Sequence, residues 1–405
     1  MNFIRKFFDS YSIMDAVINI FKYAIGYPLL LVSYLIPRQK DKWVFGNKNG
    51  FVDNGKYLYI FLLENTHEKV YWISSNRELI TKMRCKGLPA YYKFSLKGIY
   101  HLLTAYYYVC VVITRHICYW TSGGSYKINL WHGVGLKAMG HGGGDFKDYS
   151  LLSRLLMPYA YEKYNMFLTS SELNAKLIMG AFRLPQSVVY DGIYPRCEFI
   201  MSSKEHIRAF IDKYEGEDTK DLIATMKNYE RVYIYMPTWR MKYGKKFLQH
   251  AMPDLNKLDM ALKESNSLML LKLHPSMEYK VDDMRNLTNI IYITPKMDVY
   301  PILPFTDVLI TDYSSIYYDY ILLRGKGCII YDFDYKDYKT DEYAFYCDFK
   351  EHTPGTHIGN YDTLLNFISS KSDCPVENRT WLLNKFWGEY ESKSVKAMFN
   401  YVKGR

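Results

Sequence analysis

Two histidines and four short loops carry the chemistry that can be read from this chain. His132 stands in NLWHGVGLKAMGHGGGD, Asn129 to Asp145, directly after an apolar run, with Gly133 beside it and Lys137 close behind. An imidazole titrates near neutral pH and can accept a proton from a hydroxyl. His274 follows the run LMLLKL, and Pro275 turns the chain out of a strand there, which leaves the ring at a strand tip. Pro237, Thr238 and Arg240 follow VYIYM, and Thr311, Asp312, Ser314 and Ser315 follow DVLI in the stretch TDYSSIYYDY, which runs on to Asp319. That stretch reads as a strand-to-helix turn. Ser314 and Ser315 can cap the helix, and backbone N–H groups left over at its start favour an anion. With Arg240 offering forked donors and Lys272 a point charge from neighbouring strand ends, a diphosphate site becomes the better reading than a simple cap. Two histidines at facing strand ends suit one proton-accepting and one phosphate-contacting role.

Metal ligation is the weaker reading, because neither histidine has a partner at i+4 or a nearby cysteine and no H-E-x-x-H occurs. Glycines 140, 142, 143 and 144 suggest a phosphate loop, yet neither G-K-[ST] nor G-x-G-x-x-G follows a strand here. They read instead as a mobile flap.

These loops need a scaffold of strand ends. Apolar, β-rich runs at Trp43 to Phe45, Val70 to Ser74, Tyr107 to Thr114, Lys127 to Trp131 and Met166 to Thr169 alternate with helical segments such as Gly55 to Glu64, Arg77 to Cys85 and Ser171 to Phe182, the last with Ser170 as a cap. The pattern restarts with runs at Arg231 to Met236, Leu268 to Leu273, Ile290 to Ile293, Asp307 to Thr311 and Gly327 to Tyr331. Strands separated by helices predict an α/β fold of two Rossmann-like domains facing a cleft, with ligands outside the carboxyl ends of the strands. The expected division is residues 1–40 as a membrane-association segment, 41–196 as an acceptor-side domain and 197–405 as a nucleotide-side domain.

The 405 residues are 49% hydrophobic, which gives ample core for two domains and excludes disorder. Lys plus Arg (52) exceed Asp plus Glu (42) by 10, favouring anionic partners. No K/R-rich cluster or basic-aromatic module points to nucleic acid. The 41 tyrosines and 21 phenylalanines accompany many lysines and isoleucines and read as compositional bias. Seven scattered cysteines without a C-x-x-C pair predict reduced thiols in the cytosol. At the N-terminus, an apolar stripe from Phe3 to Phe21 with Arg5, Lys6 and Lys22 precedes YAIGYPLLLVSYLI, Tyr23 to Ile36. Fourteen uncharged residues are too few for a comfortable span, and an amphipathic helix lying on an anionic membrane surface fits better.

In their order and spacing, NLWHGVGLKAMG, YMPTWR, LKLHP and DVLITDYSSIYYDY, with FVDNGKYLY upstream, GIYPR at the junction and YDFDYKDY near the end, resemble the CDP-glycerol glycerophosphotransferase family of teichoic acid and capsule synthesis. The resemblance runs from Trp43 to about Gly355. It implies a GT-B fold, a monotopic anchor at the cytoplasmic face of a bacterial membrane, and transfer of glycerol phosphate or ribitol phosphate from a CDP-alditol to a lipid-linked acceptor such as a polyprenyl diphosphate saccharide, with release of CMP. No cofactor is implied beyond stimulation by a divalent cation. Motif by motif, it makes His132 the general base and His274 a contact to the diphosphate. Thr311 to Ser315 then hold phosphate, and Pro237 and Thr238 lie on the nucleotide side. Gly133, Lys137, Arg240, Lys272, Asp312 and Asp319 complete the expected substrate-binding set. One departure is visible: the family usually reads W-H-G-T-P-L-K, whereas Val134 and Gly135 stand here, which bears on the acceptor. The rival reading is a GT-B glycosyltransferase with a nucleotide-sugar donor; against it, DYSSIYYDY lacks the paired acidic pattern that holds a sugar. A silent nucleotide-binding scaffold would have no need of both histidines.

Overall fold

The structure, a computed structural model, describes residues 13–135, 137, 140, 155, 158–240, 242–274, 286–341, 345–346 and 348–405. The first sheet holds β1 (Gln39–Phe45), β2 (Lys69–Ser74), β3 (Ala90–Tyr92), β4 (Ala105–Cys110), β5 (Tyr126–Asn129), β6 (Met166–Thr169) and β7 (Val189–Asp191), in the order β3-β2-β1-β4-β5-β6-β7. The second holds β8 (Arg231–Met236), β9 (Ser267–Leu271), β10 (Ile290–Tyr292), β11 (Val308–Thr311), β12 (Gly327–Tyr331) and β13 (Thr356–Ile358), in the order β10-β9-β8-β11-β12-β13. Neighbours run parallel: Val44 of β1 pairs with Tyr71 of β2 and Tyr108 of β4, and Thr311 of β11 pairs with Met236 of β8 and Ile330 of β12. The chain therefore lays strands outward in one direction and then switches to the other, between β1 and β4 and again between β8 and β11. Crevices at such switch points are where open parallel sheets take ligands.

Strands covered on both faces must be apolar throughout. Every residue of β9 (SLMLL) and β11 (VLIT) is buried, and β12 is buried after its first glycine. Their side chains join Leu258, Leu262 and Leu364 of the flanking helices in the core of the second sheet. The strands that escaped the sequence reading, β3, β7 and β13, are three residues each, too short to show a period. Tyr107 to Thr114 is also shorter as a strand than expected, because β4 ends at Cys110 and Thr114 opens a 3-10 turn. The helix Glu172–Phe182 is capped by Ser171, which accepts from the Asn174 N–H, while the Ser170 hydroxyl donates to the Phe386 carbonyl at 2.8 Å. The cap is thus one residue later than expected.

By compactness the chain divides into residues 1–131 with 148–167 and residues 132–147 with 168–405. In the first unit, the helix Ile13–Leu35 lies against the turn after β4: Gly26 faces the Trp120 ring, and Ser33 accepts from the Gly123 N–H at 2.9 Å. Arg38 then donates to the carbonyls of Ser33, Leu102, Ala105, Thr121 and Gly123, tying the helix exit to the sheet. No described helix is long and apolar enough to cross a membrane. Six cysteines are free; Cys347 lies outside the described residues.

Candidate active site

The turn after β5 is built against its own backbone preferences. Trp131 has φ 53° and Gly133 φ 135°. A tryptophan in the left-handed region costs about 1–3 kcal/mol and persists only where its surroundings insist on it. Here they do. Asn129 Oδ1 accepts from the Trp131 N–H at 2.9 Å while its Nδ2 donates to the Val112 carbonyl at 2.8 Å. Asn54, fully buried at the start of the helix Asp53–Asn65, donates to the Trp131 carbonyl at 2.8 Å. The next carbonyl, that of His132, accepts from Arg196 Nη2 at 2.8 Å. His132 itself is exposed.

Arg196 is 4% exposed, and its charge is met by Asp319, whose Oδ2 accepts from Nε at 3.1 Å and Nη2 at 2.7 Å. The Tyr300 hydroxyl donates to the same oxygen at 2.6 Å, and its ring centroid lies 4.7 Å from the guanidinium carbon. Asp319, expected to bind substrate, is wholly enclosed and serves this arginine instead. A Cβ on Gly133 would come 3.0 Å from Arg196 Nη2 and 3.1 Å from Ser315 Oγ. The missing side chain is what lets the His132 turn run beside the TDYSS turn.

The PTWR loop after β8 is held by a second buried arginine. Arg240, 1% exposed, donates to Asp334 at 2.7 and 3.1 Å, to Asp312 at 2.8 Å and to the Thr238 carbonyl at 2.6 Å. Asp312 also accepts from the Thr238 N–H at 2.8 Å, bridging the loops after β8 and β11 at the switch point. Burial works against the charge on Arg240, but Asp312 and Asp334 outweigh it and hold its pKa above the ordinary arginine value. The structure therefore gives Arg240 and Asp312 to each other and not, as expected, to a diphosphate. Lys272 differs similarly: its ammonium donates to the carbonyls of Thr294 and Met297 at 2.7 and 2.8 Å, and burial pushes its pKa down to about 8.

The remaining expected site residues form a smaller set. Ser314 and Ser315 are half-buried; the Ser315 side chain makes no cap hydrogen bond to the short helix Ile316–Tyr320, and Ser314 Oγ accepts from the Ile316 N–H at 3.5 Å. Thr311 is buried and donates to the Met236 carbonyl at 2.7 Å, a strand-end tie. Pro237 is buried and Thr238 half-buried, with Lys137 Nζ 3.5 Å from Thr238 Oγ1. His274 is exposed, its ring 6.4 Å from that of Trp239 in the same PTWR loop. Val134, where the sequence departs from the resembled motif, is 2% exposed. Of the glycine flap only Gly140 falls within the described residues. Among those residues no group of three His, Cys, Asp or Glu is placed to hold a metal ion.

The second unit thus brings together His132, Gly133, Lys137, Thr238, Ser314 and Ser315. Asn54, Arg196, Tyr300 and Asp334 were missed as working residues. Three of the four lie in motifs quoted above, FVDNGKYLY, GIYPR and YDFDYKDY, whose signal was visible without a role attached.

Residues 30–401 match the family described as CDP-glycerol:poly(glycerophosphate) glycerophosphotransferase. The chain belongs to this family. Glycerophosphotransferases of similar sequence include a teichoic acid glycerol-phosphate transferase of Staphylococcus aureus, 23% identical over 83% of this chain and 85% of that protein. A teichoic acid ribitol-phosphate primase of Bacillus spizizenii is 24% identical over 95% and 96%. A teichoic acid poly(glycerol phosphate) polymerase of Bacillus subtilis is 25% identical over 85% of this chain but 46% of its own length. The fold is that of the wall teichoic acid polymerase TagF, with TM-score 0.69, 18% identity and coverage of 96% of this chain and 95% of the other. A form of TagF soaked with CDPG matches with TM-score 0.70, 17% identity and 96% coverage of both chains. The α/β architecture with parallel sheets and the phosphotransferase class expected from the sequence both stand.

Proposed function

We propose that this glycerophosphotransferase moves glycerol phosphate or ribitol phosphate from a CDP-alditol to a hydroxyl of a lipid-linked acceptor and releases CMP. The observation that carries this reading is the meeting of the His132 turn with Ser314 and Ser315, a proton acceptor beside a turn that can receive a phosphoryl group. The acceptor oxygen attacks the alditol-side phosphorus, the bond from that phosphorus to CMP breaks, and the acceptor proton passes to His132. Charge develops on phosphoryl oxygens, so donors already in position supply most of the acceleration. Ser314, Ser315 and His274 serve the diphosphate, Thr238 and Pro237 the nucleotide side, and Lys137 the charge between them. No step requires a cofactor. The exposed Ile25, Leu31, Val32 and Leu35 of the N-terminal helix support peripheral attachment to the cytoplasmic face of the membrane, where the lipid-linked acceptor resides.

The test is product release from CDP-glycerol, CDP-ribitol and UDP-sugars with a membrane lipid extract. CMP from a CDP-alditol is expected, with His132→Ala lowering kcat about 10² to 10⁴ fold. Release of CDP or UDP would make the enzyme a glycosyltransferase, and unchanged turnover in His132→Ala would remove the base.

A further inference from the structure

Arg196 links a buried ion pair to the backbone of His132. Its guanidinium is fully enclosed with Asp319, yet one of its nitrogens, Nη2, divides its donors between that carboxylate and the His132 carbonyl, at 2.7 and 2.8 Å. Tyr300 secures Asp319 from the other side with a 2.6 Å hydrogen bond and stacks under the guanidinium. The His132 ring is exposed, and the backbone that carries it is the part of the residue that Arg196 holds. That turn is strained at Trp131, with φ 53°, and takes φ 135° at Gly133, where glycine is at ease. A strained segment persists where its surroundings hold it, and a carbonyl gripped by a buried guanidinium is such a hold.

We infer that Arg196, braced by Asp319 and Tyr300, is a positioning residue for His132, aiming the imidazole at the acceptor hydroxyl by holding the histidine's own carbonyl. This deepens the proposed function and rests on His132 as the base. Arg196 is 4% exposed and holds the backbone of His132. Its contribution is orientation, and small misplacement of a catalytic group costs rate far more than binding. The TDYSS turn is fixed by the same cluster, since Asp319 lies on the helix that begins behind Ser315. One ion pair thereby sets the proton acceptor and the phosphate turn relative to each other.

A test must separate positioning from mere folding. Removing one partner of a buried ion pair strands the other's charge, whereas replacing both by neutral groups is far less costly. Arg196→Met alone is therefore expected to destabilise the protein. The double variant Arg196→Met, Asp319→Asn keeps an acceptor for the Tyr300 hydroxyl and is expected to regain most of the melting temperature. Its kcat for CMP release should stay at least about 10-fold low with KM for the CDP-alditol within about 3-fold, because the His132 carbonyl has lost its donor. Added to His132→Ala, the same double change should lower turnover no further, as expected for residues acting as one unit. Recovery of kcat together with stability would reduce Arg196 to a folding residue and overturn the inference. So would losses that multiply with that of His132→Ala, because Arg196 would then act by another route. Wild-type turnover in His132→Ala alone would instead remove the base and take the positioning role down with it, an outcome distinct from the other two.

Discussion

Arg196 and Arg240 are both buried arginines at the ends of strand-associated motifs, and they hold different things. Arg240 faces two carboxylates, Asp312 and Asp334, and a carbonyl of its own loop. Among the described residues, Arg196 is bonded to the Asp319 carboxylate and to the carbonyl of the residue proposed as the base. With two acids to satisfy, Arg240 is consumed by the scaffold and locks the loops after β8 and β11 together at the switch point. Arg196 instead shares one nitrogen between Asp319 and the His132 carbonyl. What each of these buried arginines holds depends on the acceptors that share its pocket.

The largest expected effect follows from that count. Arg240→Met leaves two enclosed carboxylates without their cation and should cost about 3–5 kcal/mol in urea unfolding. A loss below about 1 kcal/mol would mean that Asp312 and Asp334 take up protons or water readily, and the contrast with Arg196 would collapse. Next in size is Gly133→Ala, which keeps both arginines but pushes a methyl group between Arg196 and Ser315 at a φ of 135°. Stability should fall by about 1–3 kcal/mol, and kcat by about 10- to 100-fold through the displaced His132. Normal turnover in a folded Gly133→Ala protein would show that the turn tolerates movement. The smallest effect belongs to a half-buried cation, Lys272, which has carbonyls in place of a carboxylate at hydrogen-bonding distance. Burial lowers its pKa to about 8 from an ordinary lysine value of 10.5. Between those values the unfolded chain binds more protons, so wild-type stability rises with pH relative to Lys272→Met, and the cost of burying the charge is present in full below pH 8. The stability difference should move by about 1–2 kcal/mol in favour of wild type between pH 7.5 and pH 9.5. A flat difference would show that the two carbonyls keep the ammonium charged, placing Lys272 with the satisfied arginines.

The fold was legible where burial on both faces forced continuous apolar runs, as in β9 and β11, and hidden where strands shrank to three residues, as in β3, β7 and β13. The site was legible as a set of strand-end loops. The roles inside it were harder to read, because charged residues near a predicted phosphate site invite a ligand reading: Arg240, Lys272, Asp312 and Asp319 all took it. Each is instead bound to protein atoms. No local pattern distinguishes an arginine facing solvent from one facing an aspartate dozens of residues away.

Neighbours along the chain fix the alternation of strand and helix, the loops that end at strand tips, and the residue types able to accept a proton or a phosphate, so these could be read from sequence. Which cations are neutralised by buried acids emerges once distant segments pack together. Pairings such as Arg196 with Asp319 and Arg240 with Asp334 join residues far apart in sequence, and burial there makes an unmatched charge too costly to leave for a ligand.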